Sequence, residues 1–61
     1  MEFNLSDREK LGLELIYIKF GYLTAIEVIE IGDFTAQQKN EQLLYVNELH
    51  RENLRKQGIN I

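Results

Sequence analysis

His50 is the only histidine in the chain and the side chain best suited to move a proton near neutral pH. A general base also needs an orienting partner and a pocket. Its nearest carboxylates in sequence, Glu48 and Glu52, project away from it on a helix. His50 is therefore read as a packed or solvated histidine. Glu27, Glu30 and Asp33 make an acidic group, yet the Glu-x-x-His spacing of carboxylate-bridged metal bundles is missing. A solvated face near the positive start of the next helix is the expected role. Arg51, Arg55 and Lys56, with Tyr45 close by, carry the right charge for phosphate contacts. Glu48 and Glu52 dilute that patch, and the expected helices are too long for helix-turn-helix docking. Tyr17, Phe20 and Tyr22 recur at helical spacing, as core or interface aromatics do. The sequence has no phosphate-cradling glycine loop, no nucleophile with its base and no paired catalytic acids. The expectation is a non-enzyme with no cofactor and no metal.

Length and composition narrow the field further. Sixty-one residues hold one domain, 1–61. A chain this short buries only about 60% of the surface its unfolded form exposes. Cysteine is absent, which removes disulfides and thiolate zinc sites together. Association with another copy is then the expected support. The net charge of −3 and the isoelectric point near 5.0 disfavour nucleic acid and anionic membranes as partners. The start, MEFNLSDREK, lacks the basic-then-apolar pattern of a secretory signal. The apolar run from Leu15 to Ile31 is broken by Lys19, Thr24, Glu27 and Glu30, too polar to span a bilayer. A cytoplasmic protein is expected.

The elements that must position these residues follow from local signals. Ser6-Asp7-Arg8-Glu9 matches a capping box and starts a helix at about Asp7. Leu11, Leu15, Ile18, Tyr22, Ala25 and Ile29 are spaced 4, 3, 4, 3, 4, a heptad stripe on one side of that helix. Gly12 and Gly21 each cost roughly 1 kcal/mol inside a helix. A glycine there either admits a neighbouring helix or marks a bend near Gly21. A second apolar face, Leu13, Ile16, Tyr17, Phe20 and Leu23, lies opposite the stripe, with Ile31 farther along. One further helix cannot cover both faces. Gly32 suits a left-handed helix end, and Thr35-Ala36-Gln37-Gln38 is a second capping box. Phe34 between them is expected to fold back onto the first helix. The second helix carries the narrow stripe Leu43, Val46, His50 and Leu54, flanked by Leu44, Tyr45 and Leu49. Gln42 falls on its wet face. Gly58 is a second helix-ending glycine, with Ile59 placed to contact Leu54.

These signals predict an all-α chain, an antiparallel helical hairpin with helices over about 7–31 and 36–57. It would assemble as a dimeric four-helix bundle or a higher oligomer. The alternative is a β-hairpin over 15–28, turning at Gly21-Tyr22, followed by the C-terminal helix. The expected hairpin core is Leu11, Leu15, Ile18, Tyr22, Ile29, Leu43, Val46 and Leu54. Leu13, Ile16, Tyr17, Phe20 and Leu23 are the expected interface, with self or with a partner. Antiparallel pairing sets Asp7, Glu9 and Glu14 against Arg51, Arg55 and Lys56, and Glu27, Glu30 and Asp33 against Lys39. The functional expectation is a non-enzymatic module that binds and inhibits, adapts or retargets a larger protein. Its rivals are a dimeric nucleic-acid regulator using Arg51, Arg55 and Lys56, and an oligomer that holds a small ligand between subunits.

Overall fold

The computed structural model describes residues 5–58, which form three helices: α1 (Asp7–Phe20), α2 (Tyr22–Ile31) and α3 (Ala36–Lys56). No strand is present among the described residues, which disfavours the β-hairpin over 15–28. Ser6 caps α1: its hydroxyl accepts from the Glu9 N–H (3.2 Å) and donates to Glu9 Oε1 (3.2 Å). Asp7 and Glu9 in the first turn and Lys19 in the last suit the helix dipole.

Gly21 ends the expected long helix. Its φ of 95° and ψ of 174° lie where side-chain-bearing L residues essentially do not go. Its N–H still closes α1 onto the Tyr17 carbonyl (2.9 Å), while its own carbonyl accepts the Ala25 N–H (3.1 Å) and opens α2. One residue thus terminates a helix and starts the next. Contacts across the molecule show the reversal this produces. Tyr17 pairs with His50 and Glu14 with Tyr45, so α1 runs parallel to α3. Tyr22 pairs with Asn47 and Glu30 with Lys39, so α2 runs antiparallel to it.

This up-down-up arrangement corrects the two-helix hairpin. The four-helix dimer, which relied on two helices per chain, does not follow from it. A continuous first helix would leave one apolar side without intrachain cover. Folding α2 back covers the Leu13, Ile16 and Tyr17 side and leaves Leu11, Leu15 and Ile18 exposed, which is the physical reason for the difference. It also separates the start of α1 from the basic end of α3, so the expected pairing of acidic Asp7, Glu9 and Glu14 with Arg51, Arg55 and Lys56 is not how these helices register. Glu14 instead receives the Tyr45 hydroxyl (2.6 Å).

The 32–35 turn lies where expected, with one change. Gly32 is extended (φ −68°, ψ 155°) and not left-handed. The Phe34 ring lies where a β-carbon at this position would go, so a side chain here would require the ring to shift. Phe34 therefore does fold back over the end of α2. Lys39 Nζ donates to the Glu30 carbonyl (2.9 Å), a cation satisfying an end-of-helix acceptor. Thr35 and Gln38 form a complete capping box, at 3.2 Å and 3.0 Å. At the other end of α3 Gly58 has φ 85° and its N–H reaches the Arg55 carbonyl (3.0 Å). Ile59 and its expected contact with Leu54 lie outside the described residues.

Leu13, Ala25, Ile29 and Val46 are buried, and Leu5, Ile16, Tyr17, Tyr22, Ile26, Leu43 and Tyr45 pack against them. The heptad stripe splits at Gly21. Tyr22, Ala25 and Ile29 face inward, whereas Leu11, Leu15 and Ile18 are exposed and so do not form the expected core. Conversely Leu13, Ile16 and Tyr17, expected to await a partner, take part in the chain's own packing. Gln42 is buried rather than wet. Among the described residues no helix is long and apolar enough to cross a membrane.

A β-carbon at Gly21 would meet open space, so substitution there acts through the backbone alone. Gly21→Ala is expected to lower stability by about 1–3 kcal/mol, measured by urea unfolding. An unchanged midpoint would show that the break does not depend on glycine.

Candidate interaction surface

Where α1, α2 and α3 meet, three rings and an amide converge. The Tyr17 hydroxyl is hydrogen-bonded to His50 Nδ1 at 3.0 Å, and the two rings meet edge to face at 5.9 Å and 77°. Tyr22 stacks on the other side of the imidazole, with centroids 4.2 Å apart and planes 17° from parallel. The Tyr22 hydroxyl donates to Asn47 Oδ1. Aromatic pairs of this kind add about 0.5–1.5 kcal/mol beyond their area. His50 is therefore oriented by a phenol and a stacked ring, and it fastens both arms of the broken helix to α3. That arrangement is a clamp. Tyr17 and Tyr22 were legible as structural aromatics, but their common partner was not, because it lies on another helix.

The second polar fastening is Tyr45. Its hydroxyl donates to Glu14, and its pKa is pushed up from 10.0 to about 12. Burial is the largest cause, followed by the Glu14 hydrogen bond and the negative charges of Glu14 and Glu52.

Around this framework the sequence-predicted residues separate. On the outer side of α1, Leu11, Leu15 and Ile18 stand in an i, i+4, i+7 row, Ile18 with 75% of its surface exposed. Phe20 at the end of α1 and Leu23 and Ile31 on α2 are also exposed, Leu23 to 80%. Of the five expected interface residues, only Phe20 and Leu23 are thus largely open to a partner. Leu43 and Leu54 of the expected core are half-buried, and Ile29 and Val46 are fully buried.

The basic residues do not converge. Arg51 and Arg55 line one shallow groove of about 560 Å³ along α3, with Leu44, Asn47, His50 and Leu54. Lys56 lines another, beside Glu14 and Glu52. Arg51 is held by Glu48 at 3.5 Å. Among the described residues no three His, Cys, Asp or Glu gather as metal ligands would. The buried Gln42 was missed. The available signal was its position four residues before Val46, on the same face of α3.

Compared with protein-family models, with curated proteins and with solved structures, the chain matches none.

The Tyr45 geometry sets a pH dependence. Below pH 10 this phenol is protonated whether folded or unfolded, and its contribution to stability is fully present. As pH rises through 10 toward 12 the unfolded chain releases the proton first, so stability falls. Tyr45→Phe is expected to lose about 1 kcal/mol at neutral pH and to fall less steeply between pH 10 and 12. Urea unfolding across that range checks both. Identical slopes for the two proteins would remove Tyr45 from the account.

Proposed function

We propose that this chain is a small non-enzymatic protein–protein interaction module. It associates with a second copy through the outer face of α1, and with a larger protein that it inhibits, adapts or retargets through the outer face of α2.

The observation that carries this reading is the exposed row Leu11, Leu15 and Ile18. Its 4, 3 spacing is that of a seam filled by another helix. With Phe20, Leu23, Val28, Ile31 and Phe34, eight large apolar side chains among the described residues stay exposed. For so short a chain that is more than scattered surface apolarity supplies, and large apolar patches mark partner surfaces. The α2 face supports a separate role. Leu23 and Ile31 share it with the exposed carboxylates Glu27 and Glu30, which suits a target with an apolar groove and a basic rim. Nucleic acid has less support, since Arg51 is tied to Glu48 and Lys56 lies apart from the two arginines.

Light scattering after size exclusion, over a range of concentrations, tests the α1 part. The unmodified chain is expected to associate. The double variant Leu15→Glu, Ile18→Glu should keep its helical circular dichroism and run as a monomer. A monodisperse monomer for both proteins at every concentration would overturn self-association. Leu23→Glu is expected to leave association intact while weakening capture of a target, with equal capture as the contrary result.

A further inference from the structure

The exposed row Leu11, Leu15 and Ile18 on α1 has a flank of different chemistry on either side. In heptad terms Leu15 takes position a and Leu11 and Ile18 take d, with Arg8 at the preceding a. Asp7 and Glu14 then stand at g, and Gly12 and Lys19 at e. The Glu14 contact with Tyr45 puts the g flank nearest α3. Gly12 shares a cleft with Val28 and Ile29, which puts the e flank nearest α2. One edge of the seam is therefore acidic, and the other carries a cation and a stretch of bare backbone.

The charges on these edges are left open by the fold. Asp7, Arg8 and Lys19 are exposed, and among the described residues none of them has an ion-pair partner within the chain. Tyr45 reaches Oε1 of Glu14, and a carboxylate can accept at both of its oxygens. A β-carbon at Gly12 would meet nothing within 4 Å, so packing inside the chain does not require glycine there.

We infer that a second copy of this chain lies along the row with its α1 parallel, held in register by Glu14 against the partner's Lys19. In a parallel pair each g residue faces the e residue five positions on in its neighbour. Glu14 faces the partner's Lys19, and the two-fold axis repeats the contact on the other side. Asp7 faces the partner's Gly12 and lies beside the partner's Arg8. Leu11, Leu15 and Ile18 each cover their own twins. Leucine at a with isoleucine at d also suits more than two parallel helices, and the same flank pairing then links each copy to the next.

An antiparallel neighbour brings g against g and e against e. With Leu11 opposite the partner's Leu15, the two Glu14 carboxylates come side by side. Ile18, the most exposed of the three, then meets the partner's Arg8. Sliding by one heptad matches Leu15 with the partner's Ile18 but sets Leu11 opposite position 22, beyond the end of α1. Apolar matching and charge matching agree on the parallel direction. This inference rests on the reading of α1 as a self-association face, and adds the direction, the register and the charges that set them.

The test uses the whole chain and reads association by light scattering and sedimentation. Gly12→Lys gives Asp7 an opposite charge across a parallel seam and should tighten association about fivefold. Gly12→Glu should loosen it by about as much, and both effects should shrink at high salt. In either antiparallel register Gly12→Lys meets a like charge, at the partner's position 12 or 19, and loosens the assembly. Both variants are better helix formers than glycine, so opposite effects on association do not come from folding. The chain lacks cysteine, so one introduced thiol reports one position. Ile18→Cys in a glutathione buffer should form a linked pair where Leu23→Cys, exposed on α2, does not.

Tightening by lysine, loosening by glutamate and a disulfide favoured at position 18 are the expected results. Loosening by lysine, or a disulfide no more favoured at 18 than at 23, would overturn the parallel register. If the unmodified chain still associates and Leu15→Glu, Ile18→Glu still abolishes this, self-association through α1 stands without it. A monomeric unmodified chain overturns both.

Discussion

At Gly21 the backbone takes up φ 95° and ψ 174°, and the fate of every apolar residue from Leu11 to Ile31 is decided by it. A straight helix through this point would carry apolar side chains on opposite sides with one neighbour to receive them. The turn converts the problem. Part of the run becomes cover for another part, and α3 closes over both. Ala25, packed with no exposed surface between the helices, shows how closely the arms approach α3. A larger side chain there would hold them apart.

The fold remains thinly buried. Among the described residues four apolar side chains are buried, and polar contacts lie at the edges of that core. The imidazole of His50 lies between two tyrosines from different helices, and Tyr45 anchors to Glu14. These contacts tie α1 and α2 to the same stretch of α3. The break at Gly21 needs such ties, because glycine permits the turn without holding it in one direction.

Local features were legible in the sequence and relative placement was not. The caps at Ser6 and Thr35, the turn at 32–35 and the end at Gly58 are each written in residues within a few positions of one another, and hydrogen bonds of the same range realise them. The bounds of α3 follow for that reason. The face of α1 that turns inward is a different kind of fact. Apolar spacing establishes that Leu11, Leu15 and Ile18 share a side, but not which side meets the core. The stripe continues through Gly21 without a change in period, although its two halves end on different surfaces. That outcome depends on one pair of dihedral angles. The same reasoning explains why Leu13 looked available and Gln42 looked solvated. Each judgement assumed a phase set by a two-helix partner.

The direction of the helices has a consequence at the scale of the whole chain. With three helices, an odd number, the described segment starts at one pole and ends at the other. Leu5 shares a groove with Thr35 and Gln38 at the start of α3, and Gly58 lies past its end, about 32 Å away along the helix axis. Segments joined to these two points would be held apart by the length of α3. Joining residue 58 back to residue 5 would take about nine or ten extended residues. The separation of residues 5 and 58 is thus set by the length of α3.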